Sequence, residues 1–201
     1  MAAVRFSVKS AWLLVWCVTS SIGAGFGVIA WVAVGSILEA AVGGAESVLT
    51  AMAAGSAFGA VLGFGQWLAL RGSVDHAGRW IIASIVGYGI DFVLGATLLP
   101  SEAGVGARAG EQILLGAVLG FAVALPPAVL QWLLVLRSQI PGSVWWVPLS
   151  LAAWGLGFAV SFSLRLLLGE LTFVAGPVVA IALTGLGMRR WLPVVPERSE
   201  T

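Results

Sequence analysis

Gln66-Trp67-Leu68-Ala69-Leu70-Arg71 and Gln131-Trp132-Leu133-Leu134-Val135-Leu136-Arg137 close two long uncharged stretches of the chain in nearly the same way. Nine residues beyond each arginine stands another tryptophan, Trp80 and Trp146. Further on, Gly87-Tyr88-Gly89 matches Ala153-Trp154-Gly155, and Phe92 matches Phe158. The match at the two ends of the chain is weaker. Trp16 followed by Gly23-Ala24-Gly25 fits the first half of the unit, and Arg190-Trp191-Leu192 fits its close. The pattern predicts three tandem helix hairpins at about 11–71, 80–137 and 145–192, with 193–201 as a tail. All three run in the same direction, so they are parallel repeats about an axis along the membrane normal.

Composition places those hairpins in a bilayer. The 201 residues are 60% hydrophobic and 9% charged, with a mean hydropathy of +1.04. A soluble domain carries about 25% charged residues, and a disordered one has low hydrophobicity. Spanning about 30 Å of hydrocarbon takes roughly 20 apolar residues in a helix. Such runs lie between charges at Ser10–Leu38, Ser47–Leu70, Gln112–Leu136 and Val144–Leu164, with a shorter one at Leu171–Met188. Trp80–Ser101 is interrupted only by Asp91. The expectation is an all-α integral membrane protein: one domain, a six-transmembrane-helix bundle with pseudo-threefold symmetry. Arg5 and Lys9 ahead of the first run resemble a secretory signal, but the run is far longer than an h-region of about 7–15 residues, so a retained helix is expected.

Charge sets the orientation. With six spans, Arg5, Lys9, Arg71, Arg79, Arg137, Arg189, Arg190 and Arg198 share one side, against Arg108 and Arg165 on the other. The opposite side holds Glu39, Glu46, Glu102, Glu111 and Glu170. The positive-inside rule then puts both termini in the cytoplasm, and a bacterial plasma membrane is the expected location. Trp12, Trp16, Trp67, Trp80, Trp132, Trp145, Trp146 and Trp191 fall at the basic boundary, where indoles favour the headgroup layer.

The returning helices carry ridges of small residues four apart: Ala51, Gly55, Gly59 and Gly63 in one, Gly116, Gly120, Ala124 and Ala128 in the other. Gly176, Ala180 and Thr184 form a similar row in the last. In lipid, such rows let helix backbones approach closely. They serve packing within the chain or against a partner's helix.

A Gly-rich helix ending in Gln-Trp-Leu-x-Leu-Arg, followed by a short turn and Trp-[Ile/Val], resembles repeats of uncharacterised bacterial multi-pass membrane proteins. The resemblance covers most of the chain and implies no activity. Three hairpins also resemble the layout of mitochondrial carriers, but the proline-acid-basic signature of that family is missing, so the likeness is architectural.

Few residues are able to carry chemistry. Asp91 lies eleven residues past Trp80, about 16 Å into the membrane. A charge at that depth costs about 2.5–3.5 kcal/mol. It reads either as a proton or cation site or as a neutral acid hydrogen-bonded to a carbonyl, a serine or Tyr88. Its repeat equivalents are Gly27 and Gly157, and no Lys, Arg or His sits at similar depth. Gln66 and Gln131 lie about one turn inside the basic boundary, either as a polar ring at a pore mouth or as interhelical hydrogen-bond partners. Pro126-Pro127 should kink or interrupt its helix.

The remaining candidates are weaker. Arg165 is expected near Glu170, and His76 in a solvated loop beside Asp75. Cys17 reads as an inert small hydrophobe. One cysteine and one histidine form neither a disulfide nor a zinc site, and no cofactor or metal is expected. A net charge of +1 points away from nucleic acid. The P-loop, G-x-S-x-G and H-E-x-x-H motifs are missing, so no enzyme is expected. Two roles are left. One is an accessory or scaffold subunit working through helix packing, in a homo-oligomer or with other membrane-protein subunits. The other is a small transporter, channel or transporter specificity subunit using Asp91.

Overall fold

The computed structural model describes residues 8–42, 48–98, 108–168 and 172–191, all helical or in short turns, with no strand among them. The helices are α1 (Val8–Val42), α2 (Val48–Leu70), α3 (Gly78–Leu98), α4 (Ala109–Gln131), α5 (Trp146–Leu168) and α6 (Thr172–Trp191). Among the described residues, five helical segments are long and apolar enough to cross a membrane: Ala11–Ala41, Val48–Leu70, Gly78–Thr97, Gly110–Leu136 and Ser143–Arg165. The chain is therefore an all-α membrane protein. α6 is not among the five; its last turn holds Arg189 and Arg190. Glu46, Glu102 and Glu170, the expected tail 193–201, and Arg5 and Arg198 lie outside the described residues.

Each helix packs on its neighbours in the chain, and α6 returns to α1, closing a ring. The contacts are uneven. α2 is packed tightly against both α1 and α3, and α5 against α4 and α6, while α3–α4 and α1–α6 are thinner. Apolar side chains such as Leu14, Ile29, Leu49 and Leu114 face outward. That is the expected exterior of a bundle solvated by lipid.

Small residues set the close contacts. A Cβ at Gly59 would run into the Ser84 carbonyl, and one at Gly55 would meet the Tyr88 carbonyl and Phe92. A Cβ at Gly63 would meet the Ser84 side chain. The α2 ridge thus seats α3. Likewise Gly120 lies on the Trp154 carbonyl and Gly116 on the Phe158 carbonyl, so the α4 ridge seats α5. Gly176 and Gly157 lie against each other's backbones between α5 and α6. These contacts are what small-residue rows permit in lipid.

The two turns at the basic end are built alike. After α2, the amides of Ser73 and Val74 both bond the Leu70 carbonyl (2.8 and 3.0 Å), and His76 adopts a positive φ of 52°. After α4, the amides of Gln139 and Ile140 both bond the Leu136 carbonyl (3.1 and 2.9 Å), and Gly142 takes φ 74°. Gln139 ties the turns together. Its Oε1 accepts from the Asp75 amide at 2.7 Å, and its Nε2 donates to the Asp75 carbonyl at 2.8 Å.

One detail separates the two returning helices. Gln131 to Arg137 contains one residue more than Gln66 to Arg71. α2 closes with an ordinary bond from the Arg71 amide to the Trp67 carbonyl (2.9 Å). In the second copy the Arg137 amide reaches the Trp132 carbonyl (2.9 Å), five residues back, and Trp132–Leu136 forms a π turn. The extra residue is absorbed as a π-bulge, and both arginines emerge at the rim. α4 continues through Pro126 and Pro127, each of which leaves out one ladder hydrogen bond for want of an N–H, and the π turn follows them.

Candidate functional site

The basic end of the bundle is closed by three tryptophans. Trp16, Trp80 and Trp146 each stand near the start of an odd-numbered helix and are 0%, 0% and 2% exposed. Their rings meet edge to face, with centroids 6.3, 6.4 and 5.4 Å apart. The headgroup placement expected for them is therefore corrected: a boundary indole can equally face inward, and these three form the core. Trp145, by contrast, is 65% exposed.

Every indole N–H in this cluster has an acceptor. Trp80 Nε1 donates to Gln66 Oε1 (2.8 Å), and Trp146 Nε1 donates to Gln131 Oε1 (3.2 Å). Trp16 Nε1 donates to the Ile181 carbonyl (3.0 Å). Gln131 Nε2 donates onward to Ser84 Oγ (3.1 Å), which donates to the Trp80 carbonyl (2.9 Å). Gln66 and Gln131 are thus buried hydrogen-bond partners of indoles. Arg190, placed at the same repeat position, is exposed and takes no part.

Each core tryptophan is followed four residues later by a buried serine: Ser20, Ser84 and Ser150. Ser20 Oγ and Ser150 Oγ have no hydrogen-bond partner. Ser150, Gln66, Gln131, Tyr88 and Thr184 line a small internal cavity of about 10 Å³, room for a single water.

The opposite half of the bundle is open. Asp91 is 5% exposed and stands about 20 Å along α3. It lies in the wall of a crevice of about 550 Å³ formed by α1, α2, α3 and α4. The other walls are mostly apolar: Trp31, Ala54, Phe92, Val118, Ala122 and Pro126. Thr50 and Glu39 are the further polar members. Ala51 of the α2 ridge lines the crevice, whereas Ala124 and Ala128 of the α4 ridge are buried. Among the described residues no hydrogen bond or ion pair reaches Asp91.

One close helix contact and several small residues frame the opening. Gly87 brings α3 onto the backbone of Pro127, and the crevice begins one turn further along, at Asp91 and Pro126. Beyond that point Gly35, Ala51, Ala54, Gly95 and Ala96 leave little side chain to fill the space. A run of rings braces the α3 wall. Trp31 meets Phe92 at 5.5 Å, Phe92 meets Phe58 at 6.0 Å, and Phe58 meets Tyr88 at 5.0 Å. Tyr88 and Asp91, three apart on one helix face, divide the two cavities. Tyr88 borders the small polar one, and Asp91 the large apolar one.

The remaining candidates stand apart. His76 is exposed in the first turn, and Cys17 is a free, half-buried thiol in α1. Arg165 is exposed near the end of α5 and makes an interaction there, while Glu170, its expected partner, lies outside the described residues. No group of three His, Cys, Asp or Glu able to hold a metal occurs among the described residues. Comparison of the chain with protein-family models, with curated proteins and with solved structures finds no match.

Proposed function

We propose that the protein is a small membrane carrier or ligand-binding subunit whose site is the Asp91 crevice. The observation that carries this is a buried acid with no hydrogen-bond or ion-pair partner among the described residues, in the wall of a 550 Å³ mostly apolar space. An unpaired polar group in such a place is costly, and intramembrane acids mark substrate or ion pathways. The shape and lining fit a molecule that is apolar over most of its surface and carries one cationic group. Pockets of this size, mostly apolar with few polar groups, are typical of small-molecule sites.

In this reading α6 is a sixth span, and the hairpins 11–71, 80–137 and 145–192 are pseudo-threefold repeats. The matched turns after α2 and α4, and the indole–glutamine pairs of Trp80 and Trp146, support the repeat. The arginine bias puts both termini in the cytoplasm of a bacterial cell, and the crevice in the outer half of its plasma membrane.

An accessory role remains the second reading. The Gly55–Gly63 and Gly116–Gly120 rows are occupied by α3 and α5 of the same chain. A partner would instead meet the exposed apolar face of α1, which is 35 residues long.

The test is saturable binding of tetraphenylphosphonium, a bulky apolar cation, to the protein in nanodiscs. The wild type should bind it above empty nanodiscs, with affinity lowered about tenfold or more in Asp91→Asn, equivalent to about 1.4 kcal/mol. Ala122→Phe, which fills the crevice and keeps the acid, should abolish binding. Equal binding by wild type and both variants would remove the crevice from the function.

A further inference from the structure

A second site lies at the other end of the molecule, where the third copy of the repeat departs from the first two. Gln66 and Gln131 turn inward to the core indoles, but α6 ends in Arg189-Arg190-Trp191. Arg189 is half-buried and Arg190 exposed, and neither has an ion pair or hydrogen bond among the described residues. They edge a groove of about 800 Å³ between the start of α5 and the end of α6. Its other lining residues among those described are Trp145, Leu149, Leu186, Gly187 and Trp191, and none of them is acidic. Gly187 makes this shape possible, because a Cβ there would collide with the Leu149 side chain.

We infer that this groove binds a phospholipid with an anionic headgroup. The guanidiniums of Arg189 and Arg190 would hold the phosphate, which suits their planar array of donors. The acyl chains would lie along Leu149 and Leu186, and Trp145 and Trp191 flank the headgroup level, where indoles are favoured. The apolar floor distinguishes a lipid from free phosphate. Basic pockets between membrane helices recognise acidic lipids through this combination of charge and apolar surface.

Native mass spectrometry of the full-length protein in detergent tests the inference, with dioctanoyl phosphatidylglycerol and dioctanoyl phosphatidylcholine as probes. The phosphatidylglycerol adduct should dominate. Each arginine near the surface is worth about fivefold in binding, so Arg189→Gln with Arg190→Gln should weaken the adduct roughly 25-fold. Trp145→Ala, a change at a 65% exposed residue that leaves both charges in place, should weaken it less. Millimolar inorganic phosphate should leave the adduct intact. The inference falls if phosphatidylcholine binds equally well, if the double variant retains the adduct, or if phosphate displaces the lipid.

Discussion

The half of the bundle around Trp16, Trp80 and Trp146 and the half around Asp91 share α1 to α4 but differ in how they are filled and in the polar groups they bury. In the first, each indole N–H meets an acceptor within 3.2 Å, and the largest side chains are fully buried. In the second, glycines and alanines line the walls, and an acid is left without a partner among the described residues. The unpartnered hydroxyls of Ser20 and Ser150 are small neutral groups that cost less to bury than a carboxylate, so the tryptophan end reads as scaffold and the Asp91 end as the place where something else binds.

The strongest way to break that contrast is to remove the backbone contacts on which both halves rest. Gly120→Leu and Gly59→Leu each drive a side chain into a neighbouring carbonyl, of Trp154 and Ser84 respectively. Each should cost about 3 kcal/mol or more in thermal unfolding in detergent, at the upper end of overpacking. Gly25→Leu, at an exposed glycine with nothing within 4 Å of the added Cβ, should be neutral. Equal effects at all three would dissolve the packing argument.

Next in size is one substitution made in both regions. Trp80→Phe removes the donor to Gln66 and leaves a void in a fully buried cluster, so a loss of about 2 kcal/mol is expected. Trp31→Phe, at a residue 42% exposed beside the crevice, should cost less than about 0.5 kcal/mol. Chemical denaturation read by circular dichroism measures both.

A sharper test asks for opposite signs. Gln66→Leu strips Trp80 of its acceptor and should destabilise by about 1 kcal/mol. Asp91→Leu removes an unpartnered polar group from an apolar wall and should stabilise by about 1 kcal/mol while ending cation binding. Such a trade of stability for function is usual at binding sites. A destabilised Asp91→Leu would mean that the acid serves the fold.

The same contrast governs what can be read from sequence. Long apolar runs declare themselves, since hydrocarbon thickness fixes their length; α1 to α5 follow from that. Asp91 stands out because of its cost at that depth. The facing of a boundary tryptophan is harder, as an indole suits both a headgroup layer and a packed core. The usable signal was the serine four residues on, at Ser20, Ser84 and Ser150, which repeats with Trp16, Trp80 and Trp146 on one helix face. The π turn was also present in sequence, as the one-residue excess of Gln131–Arg137 over Gln66–Arg71. The crevice was not. It depends on how far α3 and α4 stand apart beyond Gly87 and Pro127, a long-range property that no local pattern encodes.

The smallest expected effect lies at the rim of the tryptophan end. Gln139 bonds both the amide and the carbonyl of Asp75, and its Nε2 also reaches the Val135 carbonyl (3.2 Å). One side chain thereby fixes the first turn to the second, next to the π turn. Asp75 is exposed, so water competes for both of its groups and Gln139→Ala should cost only about 0.5–1 kcal/mol globally. The local effect is more telling. The Asp75 amide should exchange its hydrogen about fivefold faster in the variant, corresponding to about 1 kcal/mol of lost protection. Amides around Asp91 should be unchanged. Acceleration in both places would mean that the two halves open as one unit, and that the crevice is coupled to the turns rather than built independently of them.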